Sequence, residues 1–250
     1  MGTIMIPRYA IIKRKKIQDH RTICIFDSLV ILEDSKIEEF EGSTFFGTSF
    51  KKLQIPPKLK SFSNWWYCVK GLVDIKISPK NKLFSYLDNK HLLGKSNEDN
   101  NIFDNLLYAR YDLEKAIIPS QIEFLGTYAF NGHPNLTSVT FPKDSKLKRI
   151  GTSPFYQSTI SKLVLPKTLE FISKNAFDQT PNLFEIKISK NNPFFFFFFS
   201  VINNTLTVKK SDQSCKDFDS LIFFAVIPKK YKFHPTLKRS IAMHLIVVTN

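Results

Sequence analysis

Short stretches in which apolar and polar residues alternate recur along the chain: LQIP from Leu53, LTSVTFP from Leu136 and ISKLVLP from Ile160. Alternation with period two predicts short strands with one buried face. A proline directly after the strand suits its end, where no ladder donor is needed. Between these strands lie Ala-Phe or Pro-Phe pairs at Ala129–Phe130, Pro154–Phe155 and Ala176–Phe177. Each pair predicts a short helical or 3₁₀ turn whose ring fills the gap between successive units.

The pattern is periodic. At a shift of 47 residues Leu125, Phe130, Leu136, Val139 and Phe141 fall on Ile172, Phe177, Leu183, Ile186 and Ile188. Between the two copies, Ile150, Phe155, Ile160, Leu163 and Leu165 play the same parts. Moved back 110 residues, they land on Phe40, Phe45, Phe50, Leu53 and Ile55. A further 22 residues on come Phe62, Tyr67, Leu72, Ile75 and Ile77. Five units of 22 to 25 residues therefore share one apolar skeleton. One unit cannot bury its apolar stripe alone, so the expected fold is a stack of coils with a continuous core.

Two longer intervals interrupt the array and resemble each other. FSYLDNKHLLGKS from Phe84 aligns with FSVINNTLTVKKS from Phe199, and FDNLLY from Phe103 with FDSLIF from Phe218. FDSLVI from Phe26 is a third copy of that core. Alternation around Asp88–Asn89 and Asn203–Asn204 predicts a hairpin in each, because Asn and Asp tolerate left-handed turn positions. The same alignment leaves four surplus phenylalanines within Phe194–Phe199. They read as a low-complexity expansion at a loop-like junction, with a membrane-inserting or partner-gripping loop as the functional alternative.

The repeat L-x-x-I-G-x-x-A-F followed by L-x-x-V-x-x-P, clearest in IEFLGTYAFNGHPNLTSVTFP from Ile122, resembles the BspA-type leucine-rich repeat. Cys68 departs from the usual cysteine position, Trp65–Trp66 replaces the Ala-Phe approach in one unit, and the last repeat breaks down after Leu237. The resemblance implies a right-handed solenoid used for adhesion or protein–protein contact. It also implies that such chains are often cell-surface proteins of bacteria and parasitic protists.

The expected fold class is thus a leucine-rich-repeat solenoid, β-rich with short helical or 3₁₀ turns, interrupted by two β-hairpin modules. Its expected organisation is a basic tail over 1–22, one solenoid over 23–241 and a C-terminal tail over 242–250. Repeats fall near 36–58, 59–81, 120–145, 146–168 and 169–191, with inserted modules near 82–118 and 192–234.

Composition and charge narrow the function classes. The 250-residue chain is 43% hydrophobic and 23% charged, a globular composition that excludes collagen-like and disulfide-scaffold classes. A net charge of +14 raises the expectation of acidic partners, nucleic acid and membrane surfaces among them. Lysine outnumbers arginine 30 to 6, however, and arginine is the usual reader of bases and phosphates. The cluster Lys13–Arg14–Lys15–Lys16 reads as a solvated edge, with an import signal as its alternative.

Chemistry finds no foothold. Cys24, Cys68 and Cys215 lack metal spacing and do not force a disulfide. Five histidines are scattered, and His133 in a repeat turn reads as a solvent-facing loop residue. Neither a nucleophile elbow, a zinc helix nor a phosphate loop occurs, so neither enzyme activity nor a cofactor or metal site is expected. The basic cluster follows the first apolar stretch, the wrong order for a secretory signal, and no apolar run approaches the ~20 residues of a membrane helix. The default expectation is a cytoplasmic location, with the cell surface as the family-based alternative.

The expected binding surface comes from strand geometry, because residues between the inward positions point out and stack in columns. One column is Lys52, Asp74, Ser138, Lys162 and Glu185; the other is Gln54, Lys76, Thr140, Val164 and Lys187. A flat ladder of mixed polar columns suits a protein partner. The competing expectation is a basic module that contacts nucleic acid or acidic membrane.

Overall fold

A computed structural model describes residues 3–6, 24–25, 27–40, 48–62, 66, 69–99, 101–173, 175–183, 185–188, 192–193, 196–197, 205–209 and 220–224. Alternating burial makes the predicted segments strands. In Lys162–Leu165, Leu163 and Leu165 are buried while Lys162 and Val164 are exposed. The result is a β-solenoid of about six turns with almost no helix.

Most coils supply strands to two parallel ladders. In the first half β1 (Thr3–Ile6), β3 (Ser28–Ile31), β5 (Lys52–Ile55) and β6 (Asp74–Ile77) form one parallel sheet in that order. Beside it β2 (Cys24–Ile25) pairs with β4 (Thr48–Ser49), and Ser49 bridges on to Lys70. In the second half β10 (Lys115–Ile117), β12 (Ser138–Thr140), β14 (Lys162–Leu165) and β16 (Glu185–Ile188) form the corresponding parallel sheet. Its companion ladder is β9 (Asn105–Ala109), β11 (Phe124–Leu125), β13 (Arg149–Ile150) and β15 (Phe171–Ile172).

Between the halves β7 (Phe84–Leu87) turns back through Asp88 and Asn89, both at positive φ, into β8 (His91–Gly94). β8 pairs antiparallel with β9, so this hairpin extends the companion ladder rather than hanging from it. β17 (Phe196–Phe197), β18 (Thr205–Lys209) and β19 (Ser220–Phe224) form a separate antiparallel sheet. Asn203–Asn204 and the rest of the phenylalanine tract lie outside the described residues.

The repeated apolar positions are the core. Leu125, Phe130, Leu136, Ile150, Phe155, Ile160 and Leu165 are fully buried, and Ile172, Phe177, Leu183 and Ile186 nearly so. Phe130, Phe155 and Phe177 stack ring on ring, with centroids 5.5 and 6.3 Å apart. In the first half Phe40, Phe62 and Phe84, each 22 residues from the last, carry the rings, at 6.4 and 5.1 Å. Phe45 and Tyr67 lie outside the described residues, and Trp66 is buried.

The turns at the Ala-Phe and Pro-Phe pairs depart from expectation. The Ala-Phe and Pro-Phe segments are isolated turns, not helical ones. Ala129 N–H donates to the Gly126 carbonyl and Tyr156 N–H to that of Ser153, but Phe130 N–H donates across to Pro154 in the next coil, at 2.7 Å. Tyr128, Ser153, Gln157 and Gln179 take positive φ, which interrupts any helix. Backbone donors that a helix would use internally instead join coil to coil.

Tyr108 on β9 fastens the two halves. Its ring stacks on Trp66 at 4.7 Å, and its hydroxyl donates to the Leu72 carbonyl, which also accepts Tyr111 N–H. Asn131 Nδ2 donates to the Trp66 carbonyl from the other side. Truncation by Tyr108→Ala should cost about 3–5 kcal/mol, as for a buried aromatic. Denaturant melts followed by circular dichroism should show a lower midpoint or two separate transitions; an unchanged melt would remove this joint from the account.

Close approach of coils demands glycine at one point. Gly126, Gly151 and Ser173 stand at equivalent places, their N–H groups donating to Leu106, Leu125 and Ile150. A Cβ on Gly126 would sit 2.5 Å from the Leu106 carbonyl oxygen, against 3.0 Å from the Leu125 oxygen for Gly151. Gly126→Ala should therefore destabilise by about 1–3 kcal/mol and Gly151→Ala by less. Equal midpoints for the two variants would contradict this ranking.

Candidate functional site

Inward burial of alternate residues leaves one row of side chains on the outer face of each strand. On the first sheet Lys52 stands beside Asp74 and Gln54 beside Lys76. Lys52 and Lys76 are exposed, Gln54 and Asp74 half-buried. On the second sheet Lys162 stands opposite Glu185 and Val164 opposite Lys187, while Ser138 and Thr140 lie one strand earlier. Thr140, Lys162, Val164 and Lys187 are exposed and Ser138 half-buried.

The two expected five-residue columns are therefore not continuous. Lys52, Gln54, Asp74 and Lys76 belong to one sheet and Ser138, Thr140, Lys162, Val164, Glu185 and Lys187 to another. The chain between β6 and β10 runs through the hairpin, which joins the companion ladder and carries no strand into the outer one.

β10 brings two further residues to the second face. Lys115 pairs with Ser138 and Ile117 with Thr140, and Ile117 is 69% exposed. Alternation around Asp88–Asn89 draws this stretch into an insertion, although KAIIP repeats the strand-then-proline signature of SVTFP 23 residues earlier than it. The completed face carries a row in which Ile117 and Val164 flank Thr140, with Val164 60% exposed. Exposed Lys115 and Lys162 lie on one side of that row. On the other side the half-buried prolines Pro119, Pro142 and Pro166 lead into turns, two of them bearing exposed Lys143 and Lys167.

Two solvent-exposed ion pairs join adjacent coils. Lys60 Nζ meets Glu38 Oε2 at 2.8 Å and Lys148 Nζ meets Glu123 Oε2 at 2.7 Å, each across neighbouring coils. The Lys60 hydrogen bond holds the Glu38 carboxyl below its ordinary range, and Glu123 holds the Lys148 ammonium above its own. Arg149 lies over the Phe171 ring at 5.1 Å. A cavity of about 310 Å³ opens between the halves, lined by Phe62, Trp66, Phe84, Asn105 and Phe124 among others. Neither histidine nor cysteine is among its described lining residues. Nor do the described residues gather three or more His, Cys, Asp or Glu side chains into a metal-binding group.

His133 overturns its expected place in solvent. It is fully buried, with Nε2 3.0 and 3.2 Å from the Arg110 and Ala109 carbonyls and Nδ1 3.3 Å from that of Asn131. Phe130, Tyr111 and Tyr108 surround the ring at 5.4, 5.6 and 6.3 Å. Nε2 faces the end of β9 and Nδ1 the turn's own backbone. A neutral ring carries one N–H, which on Nε2 donates to β9, a tie that solvent exposure would forfeit. Burial pushes the imidazole down to about 4, against the opposing pull of those carbonyls. His91 is likewise pushed down to about 4, chiefly by burial and then by Lys90, and its Nε2 has no hydrogen-bond partner.

Both rings are neutral in the fold near pH 6, whereas an unfolded histidine titrates near 6.5. The fold gains most above 6.5 and loses that gain as pH falls towards 4. Each histidine should remove about 2–3 kcal/mol by pH 4.5. Imidazole proton resonances should report both rings neutral at pH 5.5; midpoints near 6.5 would refute the buried, neutral assignment.

A stack of coils with two parallel ladders and a core built from repeated apolar positions defines a leucine-rich-repeat solenoid. The BspA type leucine-rich repeat region matches in six copies over residues 24–91 and 100–225, and the chain belongs to that family. No curated protein sequence matches it. Among solved structures, the pneumococcal vaccine antigen PcpA is similar at 21% identity and a TM-score of 0.52, over 69% of this chain and 47% of that one. A leucine-rich repeat protein from Eubacterium ventriosum is 15% identical, with a TM-score of 0.49 over 75% of this chain and 66% of that one. A leucine-rich cell surface protein from Faecalibacterium prausnitzii is 17% identical, with a TM-score of 0.45 over 76% and 60%. The chain thus spans about half the length of the PcpA structure. No helix among the described residues is long and apolar enough to cross a membrane.

Proposed function

We propose that this chain is a non-enzymatic scaffold for protein–protein contact or adhesion, holding its partner on the outer strand face. The observation that carries this reading is the exposure of Ile117 and Val164, 69% and 60%, on a flat parallel ladder. Large aliphatic side chains on strands otherwise bury one face only, and desolvating them against a partner is favourable. The repeat family supports the same reading, since its solenoids are typical of interaction and adhesion scaffolds. The face divides between two sheets, so Ser138, Thr140, Lys162, Val164, Glu185 and Lys187 contact the partner together, and Lys52, Gln54, Asp74 and Lys76 form a second patch.

Affinity capture from native-cell lysate tests the proposal. Reversing Lys52, Lys76, Lys162 and Lys187 to glutamate should remove captured proteins while leaving the melting curve in place. Capture unchanged by the reversal would sink the strand-face reading. Binding that collapses steeply with salt and follows added nucleic acid would favour the basic, anion-binding alternative.

A further inference from the structure

We infer that the outer face of β10, β12 and β14 takes an acidic protein segment carrying an apolar side chain. The inference rests on the strand-face reading and names the chemistry of its occupant. The row Ile117, Thr140 and Val164 is aligned by strand register with neighbours about 4.8 Å apart, so the two aliphatic side chains form an apolar strip interrupted by one threonine across three coils. Lys115 and Lys162 lie two residues back along their strands, about 7 Å from the strip. Lys143 and Lys167 occupy the turns beyond Pro142 and Pro166, and Lys187 continues the row on β16.

An apolar strip between two lysine-bearing margins is complementary to an apolar anchor flanked by carboxylates. Among the described residues near the strip, exposed Glu114 and Asp144 together with the strand position Glu185 are fewer than these five lysines, so the field over the strip is positive. Lysine presents a point charge on a flexible stem and imposes no planar geometry, which suits carboxylates at varied positions. A nucleic acid would gain little here. Its phosphates draw nothing from Ile117 or Val164, and among the described residues this face has no arginine for base edges, Arg149 lying on the companion ladder. The strip excludes water from the contact, which strengthens each lysine–carboxylate pair at its margin.

Fluorescence anisotropy with the whole chain tests the occupant. The probe is a short labelled peptide alternating glutamate and leucine. Its controls are the glutamine–leucine counterpart, an oligoglutamate without leucine, oligothymidylate, and phosphatidylserine vesicles. The glutamate–leucine peptide should bind about tenfold or more tighter than every control, a difference of about 1.4 kcal/mol. Ile117→Glu with Val164→Glu should abolish that preference, and so should Lys143→Glu with Lys167→Glu. All four positions are on the surface, so both variants should melt as the parent does.

Equal binding of oligoglutamate, oligothymidylate or vesicles would overturn the inference, as would variants that bind the peptide unchanged. If the peptide fails while lysate capture still depends on the face, the acidic occupant is wrong and the face remains. If capture is independent of the face as well, both fall.

Discussion

Ring-to-ring packing between coils, stacked in the second half and tilted or edge-on in the first, is the constraint on which the rest depends. Phe130, Phe155 and Phe177 repeat one buried position, and Phe40, Phe62 and Phe84 repeat another. A single coil of this size has too little apolar area to stand alone, so its ring is stable only when covered by the next. Once the rings stack, the coil spacing is set, and the backbone of each coil meets the next at hydrogen-bonding distance. The Gly126–Leu106, Gly151–Leu125 and Ser173–Ile150 bonds are all 2.9 Å, the same geometry three times over.

The joint between the halves uses the same physics with different residues. Tyr108 lays its ring on Trp66, while His133 pins the following turn to β9. The price is a buried polar ring in the core, made tolerable by neutrality and by a backbone carbonyl that accepts its single N–H. The hairpin at this joint extends the second half's companion ladder as far as β7, where that sheet ends, and leaves the outer ladder split. That split decides which exposed residues share a surface. It assigns Ile117 and Lys115 to the face of Thr140 and Val164, and separates Lys52 and Lys76 from them.

Much of the architecture is legible in residue pattern. Leu125, Ile150 and Ile172, and likewise Leu136, Ile160 and Leu183, are equivalent in sequence and equivalent in the core. The reading is weakest where a side chain's neighbours come from another coil. His133 looks like a loop residue because its carbonyl partners are 23 and 24 residues away. The Ala-Phe turns look helical because the donors that leave them for the next coil carry no local signature. β10 is hidden by the hairpin pattern before it, despite its own proline.

Sequence alone determined the repeat, its inward positions and the outward-facing residues of each strand, because period-two alternation and recurring rings are local properties of the chain. The tertiary structure decided which of those outward residues meet. Contiguity on the face depends on strand order across the hairpin, and no residue in the hairpin encodes where the ladder on its far side resumes. The physical reason is that a parallel ladder is built from segments more than 20 residues apart, joined by backbone bonds that carry no side-chain label.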